Sequence, residues 1–169
     1  IFIVLGNHDR YLFRNKFHDL STNGKDKAIF SKKEYSKNGI KVLDGNIFDV
    51  EGVTIGGADG WYDGKYTTNR VPLSEPEMLQ YWKEKLNDFH YQASNNFYDT
   101  FQEEIDKIKK LHGQVDIMVT HVRPTVLDEH THPDFQGDNT NAFFGFDYSS
   151  QISKDPKIKF WVYGHVHNP

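Results

Sequence analysis

Three short apolar runs, each breaking off into histidine, constrain this chain more than any other feature. Residues 1–5 are continuously apolar and rich in β-branched types, and they stop at Gly6-Asn7-His8-Asp9. Residues 115–120 lead into His121, and residues 158–163 lead into Gly164-His165-Val166-His167. A short apolar run bounded by turn residues reads as a buried sheet strand. In open α/β sheets, ligands gather beyond the carboxyl ends of the strands. Three strand ends would therefore deliver four imidazoles, one carboxamide and one carboxylate to a single crevice.

Helical patterns separate these runs. Ser74-Glu75-Pro76-Glu77 has capping-box spacing, and Met78, Trp82, Leu86 and Phe89 then share one helical face. Phe97, Phe101, Ile105, Ile108 and Leu111 recur at spacings of three and four, with Gly113 as a stop. A third helix is expected from Asp147, an N-cap, to about Lys154. Residues 46–57 read as a hairpin turning at Glu51-Gly52. This alternation predicts an α/β fold. The Lys-rich stretch (Lys25, Lys27, Lys32, Lys33, Lys37, Lys41) reads as a solvated helix and loop, with a phosphate-attracting patch as the weaker alternative. Residues 128–146 form a long polar loop of the kind that is often functional.

Composition narrows the function classes. The 169 residues suit one domain, and 25 aromatics (3 Trp, 9 Tyr, 13 Phe) supply its core. The absence of cysteine excludes a disulfide framework and thiolate metal sites, which makes the nine histidines the pointed number. A net charge of −4 argues against a protein that coats nucleic acid. No apolar run approaches the ~20 residues of a membrane span, and residues 1–5 are too short for a signal-peptide core. The expected location is cytoplasmic, with a signal sequence upstream of Ile1 left open, as is the oligomeric state.

His165 and His167 would share one face of a regular strand, yet a bend after Gly164 would send them apart. The spacing alone leaves one ion or two open. A neutral carboxamide such as that of Asn7 is a weak ligand, more credible within a mixed N/O set that suits Mn²⁺, Fe or Zn²⁺ over Ca²⁺ or Mg²⁺.

Taken together, G-N-H-D at 6–9, T-H-x-x-P at 120–124 and G-H-x-H at 164–167 resemble the calcineurin-like metallophosphoesterases. The resemblance implies an αββα sandwich, of which residues 1–169 would be part of a single catalytic domain, incomplete at both ends and inactive as a fragment. It implies two divalent metal ions, with Asn7, His121 and His165 on one and His167 on the other. His8 would assist the phosphoryl group or protonate the leaving oxygen, and Asp9 would hold its imidazole. A carboxylate beside an imidazole favours the protonated ring, which agrees with that role. The family's Asp-x-His and its Gly-Asp with the bridging carboxylate should precede residue 6, where the sequence as given has neither. The implied reaction is hydrolysis of a small phosphomonoester or phosphodiester by a metal-activated water. A nuclease of the same superfamily and a metal-poor, protein-binding scaffold are the alternatives.

Other candidates carry blander readings. His18, His90 and His112 read as ordinary surface or core residues, and His130 and His132 as possible substrate-side residues on the long loop. Arg10 and Arg123 adjoin the motifs and could meet a phosphate, with surface placement equally expected. Trp61 and Tyr62 could wall a pocket or anchor a loop.

Overall fold

The computed structural model describes residues 1–12, 23–65, 73–92, 96–127, 129, 133 and 136–166. His18, His130, His132 and His167 lie outside the described residues. Strands β1 (Phe2–Ile3), β2 (Lys41–Val42), β3 (Asn46–Val50), β4 (Val53–Ala58), β5 (Ile117–Thr120) and β6 (Phe160–Tyr163) alternate with helices α1 (Gly24–Lys37), α2 (Glu75–Lys85), α3 (Asn87–Gln92), α4 (Phe97–Leu111) and α5 (Ser149–Ile152). The main sheet has the order β3-β4-β5-β6, antiparallel at the first pair and parallel elsewhere. The fold is mixed α/β, as the pattern predicts.

Local chemistry accounts for most of these elements. Glu51 and Gly52 both take left-handed backbone, φ 54° and 85°, so the two-residue turn follows the twist of its strands and sets Val50 opposite Val53. Glu77 accepts from the Ser74 backbone N–H at 2.8 Å at the start of α2, and Asn96 accepts from Tyr98 N–H at 2.9 Å at the start of α4. Helix α4 lays Ile105, Ile108 and Leu111 into the same core as Ala58, Val115 and Met118. Beside them Tyr62, Trp82, Phe97 and Phe143 form a buried aromatic cluster. On the other face of the sheet, Phe48, Ile55, Ile117 and Phe160 line up across the strands, with Val162 two residues beyond Phe160. Phe160 and Val162 are exposed there.

Three expectations need correction, and a choice left open between two readings is decided. The apolar opening does not enter the main sheet. Only Phe2–Ile3 form a strand, half-buried and paired in parallel with Lys41–Val42. The helix expected to reach Phe89 ends at Leu86, which is extended (φ −100°, ψ 131°), and a separate α3 follows. The third helix is shorter, Ser149–Ile152, because Tyr148 is its N-cap while Asp147 accepts from Ser149 N–H just before it. Trp61 and Tyr62 are fully packed, which favours the loop-anchor reading.

The lysine-rich stretch also resolves. Lys25 pairs with Glu103 and Lys37 with Glu34 on the surface, whereas Lys32 is drawn inward. There it joins a closed ring of alternating charges. Arg10 meets Asp59 at 3.1 Å, Asp59 meets Lys32 at 2.8 Å, and Lys32 meets Asp44 at 2.8 Å. Asp44 then meets Lys107 at 2.6 Å, Lys107 meets Glu104 at 2.7 Å, and Glu104 returns to Arg10 at 3.3 Å. Three cations and three anions cancel, so burial leaves no member without a counter-charge. The ring is deepest at Arg10, Asp59 and Glu104 and opens to solvent at Asp44.

Burial works against the ionised Asp44, but hydrogen bonds from Lys107 and Lys32 outweigh it and hold its carboxyl below the usual range. Burial likewise opposes the Lys107 cation, while the Glu104 charge and the Asp44 hydrogen bond push it up to about 12. Lys107 therefore stabilises the fold fully below its ordinary range near ~10.4, and that contribution fades as pH rises through about 12. Asp44 contributes fully above ~3.9 and loses its contribution as pH falls through its lowered value. Urea unfolding should show stability falling on both limbs, with Lys107→Met flattening the alkaline one. Asp59→Asn takes one of two carboxylate partners from both Arg10 and Lys32, leaves the ring with one uncompensated positive charge, and should cost about 3–5 kcal/mol in the same measurement.

Candidate metal centre

Backbone bonds bring the strand ends together. Leu5 N–H donates to Asp59 Oδ1 at 2.9 Å, and His121 N–H donates to the Asp59 carbonyl at 2.8 Å. Gly164 N–H in turn donates to the His121 carbonyl at 3.0 Å. Residues beyond β1, β4, β5 and β6 are thereby stitched at one end of the fold.

Asn7 opens a 3-10 turn, Asn7–Arg10, and is buried. Its Oδ1 lies 3.2 Å from His121 Nε2, which in turn lies 3.1 Å from His165 Nδ1. The second nitrogen of His165, Nε2, sits 3.1 Å from the Phe143 carbonyl. A carbonyl only accepts, so Nε2 carries the proton and Nδ1 presents its lone pair toward His121. Such an N–H to carbonyl bond is the usual support of a metal-ligating histidine. Two ligands about 2.0–2.1 Å from one ion lie roughly 3.0–3.4 Å apart. The observed separations match that spacing, and the donor set of two imidazoles and one carboxamide oxygen suits a borderline transition metal. The three side chains thus fit one divalent ion. Among the described residues, no group of three or more His, Asp or Glu side chains is arranged to hold a metal ion, so the third donor here is the Asn7 carboxamide.

His165 lies past the end of β6 with φ 68°, a left-handed conformation that costs a non-glycine residue about 1–2 kcal/mol. The chain therefore bends after Tyr163, and the alternation of a regular strand does not extend to His165. Gly6 serves a different need. A Cβ there would stand 2.9 Å from His121 Cε1 and 3.1 Å from Nε2, within the ring's own contact shell.

His8 is exposed on the turn that carries Asn7, with its ring 4.6 Å from that of Tyr11. Asp9 does not hold the His8 imidazole. Its carboxylate accepts from Gly6 N–H at 2.8 Å and so closes the turn. Arg10 and Arg123 are both buried, against the expectation of phosphate contact or surface placement. Arg10 belongs to the charge ring and lies over the Trp61 ring at 5.2 Å, and the Arg123 side chain packs against Gly145. His90 lies in α3, and His112 pairs with Asp155 at 3.2 Å, far from any metal role.

Two carboxylates of the site's surroundings escape sequence reasoning. Asp59 follows a strand directly, so the strand-end rule would have found it had β4 been extended to Ala58. Asp88 had no such signal, since it reads as one polar residue on a helix. It is buried, and Asp88 Oδ1 accepts from Asn7 Nδ2 at 2.8 Å and from the Tyr11 hydroxyl at 2.6 Å. Oδ2 accepts from the Tyr62 hydroxyl at 2.7 Å. Burial first, then the adjacent Asp88 charge, push both phenols well above their usual range, so both stay protonated as donors.

The architecture and the site together define an α/β protein in which Asn7, His121 and His165 meet beyond the carboxyl ends of strands. The calcineurin-like phosphoesterase family model matches residues 1–169, and the chain belongs to that family. Comparison with curated proteins and with solved structures gives no match.

Replacing Gly6 with alanine should displace the His121 ring. The expected cost is about 1–3 kcal/mol in urea unfolding, accompanied by weaker Mn²⁺ binding in a calorimetric titration.

Proposed function

We propose that this protein is a divalent-metal-dependent phosphoesterase that hydrolyses a small phosphomonoester or phosphodiester. The observation that carries the reading is the approach of Asn7 Oδ1, His121 Nε2 and His165 Nδ1 within 3.2 Å steps of one another. These three side chains would hold one ion, and His167 would serve a second; Mn²⁺, Fe or Zn²⁺ fit the mixed donor set. Bound divalent ions supply Lewis acidity, polarising phosphoryl oxygens and making water a stronger nucleophile at neutral pH.

The remaining work falls to the chain itself. Hydrolysis adds water across a P–O ester bond, and the departing oxygen must take up a proton. His8, exposed on the turn that holds Asn7, would give that proton. Asp9 supports the step indirectly, by closing the turn through Gly6. The buried Arg10 and Arg123 leave substrate contacts to other groups. The net charge of −4 favours a small substrate over long nucleic acid.

Assays of the full-length protein with Mn²⁺ should show cleavage of nitrophenyl phosphate esters and no comparable cleavage of oligonucleotides. His121→Ala should lose both metal binding and turnover. His8→Ala should keep the metal affinity and lose about 10²–10⁴-fold in kcat. A His8→Ala enzyme at the wild-type rate would remove the role given to His8. Failure of the full-length protein to bind Mn²⁺ would favour the non-catalytic scaffold.

A further inference from the structure

We propose that Asp88 is the positioning residue that decides which end of the Asn7 carboxamide faces His121 and His165, so that oxygen rather than nitrogen is offered to a cation. The inference rests on the metal-binding reading above and adds to it a residue of α3 outside the three motifs.

A carboxamide is nearly symmetric in shape. Its oxygen and its NH₂ differ in hydrogen bonding far more than in size, so the neighbours choose its orientation. At the inner side of Asn7 the neighbour is the Asp88 carboxylate, whose Oδ1 lies 2.8 Å from Nδ2 and also accepts from the Tyr11 hydroxyl. A carboxylate has no proton to give, so only the NH₂ end can face it. The oxygen is then left toward His121 Nε2 at 3.2 Å. Turning the amide over would set two acceptors against each other in a buried place and point N–H groups at the cation.

Asp88 is itself held from one direction. Trp82 Nε1 can only donate, and it lies 2.8 Å from the Tyr62 hydroxyl, so the Tyr62 proton must point elsewhere. Its partner is Asp88 Oδ2 at 2.7 Å. Tyr11 donates to Oδ1 at 2.6 Å, and its oxygen is 3.3 Å from Asn7 Nδ2. Donors from the aromatic core thus run Trp82 to Tyr62 to Asp88, and the carboxylate passes the resulting polarity to Asn7. The break at Leu86 makes this possible, since α3 starts anew and brings Asp88 under the 3-10 turn.

The test exchanges the two partners. Asp88→Asn gives position 88 a donor group that invites the Asn7 amide to turn over, and should weaken Mn²⁺ binding about 10–100-fold, read by electron paramagnetic resonance of free Mn²⁺. The double variant Asn7→Asp with Asp88→Asn restores one acceptor opposite one donor and keeps the total charge. In it, Tyr11 and Tyr62 retain partners. It should bring the dissociation constant back to within about threefold of the parent and bind more tightly than Asn7→Asp alone, in which two acceptors face each other; a merely structural role for Asp88 would leave Asn7→Asp the tighter binder. Parental affinity in Asp88→Asn overturns the inference. A double variant that binds no better than Asp88→Asn, or that does not fold, overturns it as well. Absence of Mn²⁺ binding by the parent is a separate result, which sinks the metal reading and this inference with it.

Discussion

Asp59 joins the Asn7–Arg10 turn, helix α1 and the end of β5 at the site. One oxygen takes the Leu5 N–H just ahead of Gly6 and Asn7, and the other takes Arg10 and Lys32. Its own carbonyl receives the His121 N–H. A buried carboxylate with this many donors is stable only if counter-charges accompany it, because desolvating an unpaired charge costs several kcal/mol. The six-membered ring through Lys32, Asp44, Lys107, Glu104 and Arg10 meets that requirement, and Glu104 also takes the Gly60 N–H at 3.3 Å. The helices α1 and α4 and the turn at Asn7–Arg10 are therefore docked against the strand ends by one shared set of charges.

What the site can do depends on groups that would never touch a metal. Asp88 orients Asn7, the Phe143 carbonyl selects the His165 tautomer, and the missing Cβ of Gly6 gives the His121 ring its space. Each acts by hydrogen-bond polarity or by volume. The 3-10 turn Asn139–Phe143 gains a purpose here, for it brings a backbone acceptor to His165, and Phe144 lays its ring 5.0 Å from the imidazole. The aromatic core is continuous with this support through Tyr62, which packs edge-on to Phe143 and bonds to Asp88. Core packing and ligand geometry are thus one mechanical system.

Membership of the calcineurin-like phosphoesterase family sets the chemistry in outline, since that family is metal-dependent and hydrolytic. Within that outline, the described residues bring Asn7, His121 and His165 into contact and leave His8 exposed on the adjoining turn. Arg10 is a cation near the motif that a sequence reading could offer to phosphate, yet its guanidinium is committed to Asp59 and Glu104. Position in the chain and availability in space are separate properties.

The helices with strong periodicity and caps, the hairpin at Glu51-Gly52, and the gathering of Asn7, His121 and His165 at strand ends are legible in the order of residues. Those depend on local rules: capping, a positive-φ turn, and the strand-end placement of ligands. The rest depends on contacts between distant segments. Residues 1–5 look like a central strand, but an apolar run states only that it is buried somewhere, and β1 pairs with β2 instead. Asp9 lies next to His8 in sequence, while the turn geometry hands its carboxylate to Gly6. The burial of Lys32, Asp59, Asp88 and Glu104 is not legible in the chain, because a polar residue does not announce a distant partner. Their burial is favourable only when opposite charges or donors from other elements arrive at the same place, and that coincidence exists only in the folded molecule.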